Sequence, residues 1–149
     1  MKIEKHIKMS ESDCEVIIHC FGTFSSMSGE INKAIDVKYP NVYYNISLLR
    51  KAKGLRIGTC LITRVEKQFI ISMFPALYDY DINGVSKSNF DEIYFIDTLQ
   101  NVYDVMENLG WLDKKIAVPL YFGSKQVNYV KSALESFFKG KDLTIYTKI

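Results

Sequence analysis

The sequence predicts an α/β protein, a three-layer α/β/α sandwich around a central six-stranded mixed sheet. Three observations predict it. Strand-like and helix-like segments follow one another in the order β-β-α-α-β-β-α-β-α-β, and such alternation builds a sheet covered by helices. Two strand segments, Glu15 to Phe21 (EVIIHCF) and Lys115 to Leu120 (KIAVPL), are short, rich in β-branched residues and nearly continuous in apolar character. Strands buried on both faces read this way. The helical segments carry apolar stripes at helical spacing.

The elements follow in chain order. Lys2 to Lys8 alternates weakly and reads as an edge strand, and Ser10 to Asp13 is a polar turn. After EVIIHCF comes the small, polar stretch Gly22 to Gly29. Ser28 caps the next helix, and Glu30 in its first turn complements the helix dipole. Ile31, Ala34 and Ile35 form that helix's stripe, and Pro40 stops it. A second helix, Val42 to Lys53, turns Val42, Tyr43, Ile46 and Leu49 inward and ends at Gly54. Ile57 to Arg64 and Gln68 to Phe74 read as strands joined by Val65-Glu66-Lys67, with Pro75 as a breaker. Ala76 to Asn89 is irregular. Phe90 to Leu109 is a long helix with Ile93, Ile96, Leu99, Val102, Tyr103 and Met106 spaced for burial, ended by Gly110. Tyr121 to Lys125 is a short loop after KIAVPL. Val127 to Lys139 is a helix with Val130, Ala133, Leu134, Phe137 and Phe138 inward, and Asp142 to Thr147 is the last strand.

The 149 residues are 48% hydrophobic and 24% charged, which predicts one domain over residues 1–149 and excludes wholesale disorder. No apolar run reaches the ~18 residues of a membrane span. The start, MKIEKHIKMSESD, has no apolar signal core, so a cytoplasmic protein is expected. A net charge of +2 predicts no duplex nucleic-acid binding. Cys14, Cys20 and Cys60 are widely spaced and read as reduced thiols, mostly in the core. With two histidines that form no ligand cluster, no metal and no cofactor is expected. The lysine- and isoleucine-rich composition suits a phage or a low-GC bacterium.

In open α/β sheets, ligands bind at the carboxyl ends of the strands near a topological switch point. Two stretches qualify. In the first, Gly22, Thr23, Phe24, Ser25, Ser26, Met27, Ser28 and Gly29 lead to a helix N-terminus, where backbone N–H groups and serine hydroxyls suit an anion. The same composition also makes an ordinary capped turn, and Glu30 would repel a phosphate beside it. In the second, Tyr121, Phe122, Gly123, Ser124 and Lys125 offer rings for stacking and donors for a phosphate; the alternative is a turn whose aromatics pack on neighbouring helices. Tyr78-Asp79-Tyr80-Asp81 either grips a nucleoside or is a solvated loop. Lys51 to Arg56 (KAKGLR) fits a helix C-terminus, which attracts cations. His19 lies inside a buried strand pattern and reads as a satisfied core histidine. No nucleophile–base pair is readable.

Four segments together resemble the macrodomain family over nearly the whole chain. Residues 16–43, from VIIHCFGTFSSMSGE to YPNVY, are similar to that family's strand, ligand loop and helix, with Met27 and Tyr39-Pro40 in place. GLRIGTCLITRVEKQFIISMF looks like its central hairpin, with Gly58 retained. KKIAVPLYFG looks like its fifth-strand motif, with Pro119 and Gly123. SALESFFKGKDLTIYTK looks like its last helix and strand. The likeness is greatest to the branch of the terminal ADP-ribose protein glycohydrolase and the ADP-ribose-1″-phosphate phosphatases. It implies a macrodomain-like sandwich and a cleft for ADP-ribose or a related nucleotide.

The departures shape the expected function. The Gly-Asp with which the family usually holds the adenine amino group corresponds to Ile7-Lys8. The family's asparagine after the second strand corresponds to Gly22, and the last glycine of its first loop is Glu30. The acid that some family hydrolases use falls near Gln126, and the glycohydrolase's lysine falls near Ala76 or Leu77. The resemblance therefore implies binding between residues 23–29 and 121–125 without known macrodomain catalysis. Phe24, Tyr121 and Phe122 would stack, and loop amides with Ser25, Ser28 and Ser124 would hold the diphosphate. Two alternatives stand beside it. One is a hydrolase of ADP-ribose 1″-phosphate or ADP-ribosyl linkages, using Asp79, Asp81 or His19. The other is a protein-interaction scaffold with a degenerate pocket. The expected partner is ADP-ribose or a related nucleotide, with no membrane; a protein partner is also compatible.

Overall fold

A computed structural model of the chain describes residues 1–5, 13–20, 35–75, 92–119 and 124–147. Six strands form one sheet: β1 (Lys2–Lys5), β2 (Val16–Cys20), β3 (Cys60–Val65), β4 (Gln68–Met73), β5 (Ile116–Pro119) and β6 (Leu143–Thr147). Their order is β1-β6-β5-β2-β4-β3. Every neighbouring pair is parallel except the β3–β4 hairpin. Among the described residues, three helices accompany them: α1 (Pro40–Lys51), α2 (Glu92–Leu109) and α3 (Ser124–Phe137). Residues 35–38 are also helical. The mixed sheet of the sequence reading is present.

Alternation along the strands divides the core in two. Val16 and Ile18 of β2, Ile71 and Met73 of β4, Ile116 and Val118 of β5, and Leu143 and Ile145 of β6 face one side. There they meet Phe95, Leu99, Val102 and Met106 of α2 and Val130, Leu134 and Phe138 beside α3. Ile17, Ile70, Ala117 and Tyr146 face the other side, against Ile35, Tyr39, Val42 and Ile46. Each fully buried aliphatic or aromatic side chain stabilises the fold by about 1.5–3 kcal/mol over its exposed state. β2 is the shared wall. Val16 and Ile17 are 0% exposed and Ile18 is 1% exposed, which is why its sequence is apolar without alternation.

The element ends explain where observation and expectation part. Pro40 occupies the first turn of α1. It opens that helix rather than only stopping the preceding one, because a first-turn residue needs no N–H partner. Helix α1 ends at Ala52, and Lys53, not Gly54, takes the left-handed conformation, at φ 58°. The Lys53 N–H donates to the Arg50 carbonyl, and the Gly54 N–H donates to the Leu49 carbonyl, 3.0 Å each. This is a Schellman motif. Gly54 serves close approach instead: a Cβ there would lie 2.7 Å from Leu49 Cδ1. Helix α2 ends by the same motif, with Gly110 at φ 73° and the Trp111 N–H donating to the Met106 carbonyl.

Helix α2 buries Phe95 and Thr98 beside Leu99, Val102 and Met106, while Ile93 is 71% exposed. The expected inward stripe is thus corrected at its first turn. Thr98 is tolerated because its hydroxyl donates to the Tyr94 carbonyl, 2.6 Å away. Strand β3 begins at Cys60, later than expected, because the chain bulges before it. The Gly58 N–H donates to the Phe74 carbonyl, and the Phe74 N–H donates to the Thr59 carbonyl. Two residues face one, and Gly58 has φ 89°. The Asn101 amide of α2 donates to the Gly58 carbonyl at 2.8 Å, tying the bulge to the helix layer. Helix α3 starts at Ser124, three residues before the expected Val127.

Two predictions follow from these ends. Lys53 is exposed and carries the cost of a left-handed L-residue, so Lys53→Gly should stabilise the protein by about 0.5–1 kcal/mol. A thermal melt should show this as a midpoint rise of a few degrees. At the amino ends of β2 and β5, Lys115 pairs with Asp13, and Lys114 with Glu15 at 3.4 Å. The Lys115 ammonium holds the Asp13 carboxyl below its ordinary range, and the Lys115 backbone N–H does the same for Glu15. A depressed carboxylate stabilises the fold above its unfolded titration range and loses that contribution as pH falls. Lys115→Met should therefore flatten the fall in melting midpoint as pH drops through about 4, while changing the midpoint little at pH 7.

Candidate functional site

The central strand is paired unequally on its two sides. β2 pairs with β4 over five residues, from Val16↔Phe69 to Cys20↔Met73. Among the described residues it pairs with β5 over two, Val16↔Ile116 and Ile17↔Ala117. β5 meanwhile stays with β6 to its end, through Pro119↔Tyr146. Among the described residues the β2–β5 ladder thus covers only the amino ends of the two strands, and Pro119 has no N–H with which to extend it.

The connections also diverge there. From β2 the chain reaches residues 35–39 and α1, which pack on one face of the sheet. From β5 it reaches α3, whose buried residues pack on the other face. Divergence of this kind at adjacent parallel strands is a topological switch point, where α/β sheets hold their ligands. Ser124 and Lys125 form the start of α3 rather than a loop. The first backbone N–H groups of a helix have no intrahelical acceptor, and their partial positive charge favours an anion.

Gly22, Thr23, Phe24, Ser25, Ser26, Met27, Ser28 and Gly29 lie outside the described residues, as do Glu30, Tyr121, Phe122 and Gly123. So do Ile7-Lys8, Ala76-Leu77 and Tyr78 to Asp81. The described strand ends that lead to the two ligand stretches, Cys20 and Pro119, belong to the adjacent strands β2 and β5. Lys51 to Arg56 sits apart from them. It precedes β3, the edge strand two places from β2.

Beneath the strand ends lies a buried polar pair. His19 Nε2 is 2.6 Å from Ser72 Oγ. His19 is 1% exposed and Ser72 is 0% exposed. The expectation of a satisfied core histidine is met, and the same burial takes His19 out of contact with solvent as a general base. Ser72 was not singled out in the sequence. Its signal was there: VIIH and FIIS place a polar residue fourth in two apolar strands, and these positions pair in register. A second polar link on this face joins Asn45 Nδ2 to Thr63 Oγ1 at 3.3 Å.

No disulfide joins the three thiols. Cys14 is buried, and Cys20 and Cys60 are half-buried. Burial pushes the Cys60 thiol up, which leaves it protonated and unreactive near neutrality. No metal-ligating cluster occurs among the described residues. No helix among them is long and apolar enough to cross a membrane. A pocket of about 130 Å³ opens at the opposite, amino end of the sheet, between Lys2, Asp13, Cys14, Lys115, Asp142 and Tyr146. Its charges offset one another through pairs such as Lys115 with Asp13.

No family model matches the sequence, and no curated protein does. Solved structures do match. The macrodomain of Thermus aquaticus DarG superposes with a TM-score of 0.77 at 13% identity, covering 97% of this chain and 96% of that one. The macrodomain of Mycobacterium tuberculosis DarG gives 0.70 at 17% identity, with the same coverage. Thermosipho africanus DarTG in complex with ADP-ribose gives 0.71 at 13% identity, covering 91% of this chain and 38% of that one. At such identities the likeness is one of architecture, and it spans sheet and helices alike. The chain has the macrodomain fold.

Proposed function

We propose that this chain is a divergent member of the macrodomain family that binds ADP-ribose, or a closely related nucleotide, in the crevice between β2 and β5. The observation that carries the reading is the switch point itself: the chain leaving β2 packs on one face of the sheet and the chain leaving the adjacent β5 packs on the other. The Thermosipho africanus neighbour, solved in complex with ADP-ribose, supports the choice of ligand. In this reading the diphosphate lies against the amides of residues 22–29 and the first turn of α3, with hydroxyls from Ser25, Ser28 and Ser124. Helix-terminal N–H groups suit that charge. Phe24, Tyr121 and Phe122 supply ring faces for the adenine and ribose. Lys125 adds a cation.

The reading is of a binder without the catalysis known in macrodomains. Gln126 cannot titrate, and Ala76 and Leu77 carry no amine. His19 is committed to Ser72 beneath the floor. A hydrolase needs an ionisable group within hydrogen-bond reach of the scissile bond, and these positions supply none.

Calorimetric titration tests both parts. ADP-ribose should bind saturably and more tightly than AMP or NAD, and bound ADP-ribose 1″-phosphate should release no phosphate. No heat with any of the four ligands would overturn the reading and leave a scaffold with the macrodomain fold. Phosphate release would overturn the non-catalytic part alone. In the same titration Glu30→Gly should tighten ADP-ribose binding by about tenfold, since it removes a like charge beside the diphosphate.

A further inference from the structure

The two edges of the sheet are built differently. β1 closes one side of the strand order and β3 the other. β1 is four residues long, and Lys2, Glu4 and Lys5 give it a charge at all but one position. Short length and charge are the usual protection of an edge strand against other chains. β3 is six residues long, CLITRV, with a single charge at Arg64 and no proline. The bulge at Gly58 lies ahead of it and leaves its own ladder to β4 regular.

Antiparallel ladders bond every second residue toward one neighbour. At the hairpin, Val65 pairs with Gln68 across a two-residue loop, and such loops close on a hydrogen-bonded pair. At the other end of the ladder the Phe74 N–H donates to the Thr59 carbonyl. Both ends therefore turn Thr59, Leu61, Thr63 and Val65 toward β4. The N–H and C=O groups of Cys60, Ile62 and Arg64 point out of the sheet edge, and among the described residues they meet no backbone partner. Cys60 and Ile62 pack on one core and Leu61 and Val65 on the other, so this row of donors and acceptors is held in place from both faces.

The charge around the edge has one sign. From Asp36 to Lys67 the chain carries seven Lys or Arg residues and two acids, a net +5 where the whole chain has +2. Lys51, Lys53, Arg56, Arg64 and Lys67 are exposed. The dipole of α1 accounts for Lys51 and Lys53 at its end, but not for Arg56, Arg64 or Lys67. A second copy paired edge to edge about a two-fold axis would set this positive surface against itself. An acidic strand would meet it with opposite charge.

We propose that the open edge of β3 is a docking site for an extended acidic segment of another protein, which adds to the sheet as a further strand. Main-chain hydrogen bonds to Cys60, Ile62 and Arg64 supply the affinity, and carboxylates facing the surrounding cations select the partner. This inference stands apart from nucleotide binding between β2 and β5.

The probe is an end-capped nine-residue peptide of alternating glutamate and valine, titrated into the full chain. It should bind saturably, and about tenfold or more tightly than the same peptide with lysine in place of glutamate. At saturation, amide hydrogen exchange at Cys60, Ile62 and Arg64 should slow by about tenfold, with Lys2 to Lys5 of β1 unchanged. The glutamate peptide N-methylated at every residue should not bind. Arg64→Gln, which removes charge alone, should weaken binding by about threefold, and Arg64→Pro, which also removes an outward N–H while sparing the ladder to β4, by about tenfold. Should Arg64→Pro unfold, the N-methylated peptide decides the same point with the protein unchanged. No binding of the glutamate peptide, equal binding of the lysine peptide, binding of the N-methylated peptide, or protection confined to β1 would each overturn the inference. So would a free protein that sediments as a dimer and is dissolved to monomers by Arg64→Pro, since a second copy would then hold this edge.

Discussion

The structure depends on how β2 is shared. This strand pairs along its whole length with β4 and along only its first two residues with β5. Full pairing on one side makes it the spine of the sheet, buried on both faces. On the other side the described ladder covers only its first two residues. The helices are then obliged to diverge, because the chain leaving β2 packs on one face and the chain leaving β5 packs on the other. The switch point is thus a consequence of strand order. The proposal that a ligand binds there rests on what helix starts and small-residue stretches offer to anions.

Among the described residues, backbone strain lies away from the carboxyl ends of β2 and β5. The left-handed non-glycine residues Lys53 and Glu66 lie after α1 and in the β3–β4 hairpin. These are on the edge strand's side, two places from β2. Glu66 occupies the first position of a two-residue loop, where a right-twisted hairpin needs a positive φ. At the amino end, Lys114 and Lys115 clamp Glu15 and Asp13, and Phe69 stacks on Trp111 with ring centroids 4.1 Å apart. One end of the sheet is pinned by charge pairs and stacked rings.

The sequence made the architecture legible because buried strands and amphipathic helices have direct physical signatures. EVIIHCF and KIAVPL could be placed in the sheet interior from β-branched, unbroken apolar runs alone. Helix ends were harder. Pro40 reads as a stop because the residue before proline avoids helical dihedrals, yet the same ring suits a helix's first turn. Gly54 reads as a left-handed cap, but the cap falls on Lys53, and Gly54 answers to the crowding of Leu49. Ile93 matches the helical stripe in spacing but lies in the first turn of α2, outside its contact with the sheet. The switch point was legible from the order of the elements. The His19–Ser72 pair was legible only in half, since a single strand shows a polar residue without showing its partner in register.

The account's central claim is that ligand enters between β2 and β5 at their carboxyl ends. An amide chemical-shift titration of the labelled protein with ADP-ribose tests it most directly. Shifts should gather at His19, Cys20, Val118 and Ser124, and leave Glu15, Lys115 and Asp142 at the amino ends in place. Shifts confined to the amino-end residues, or no shifts at saturating ligand, would contradict it.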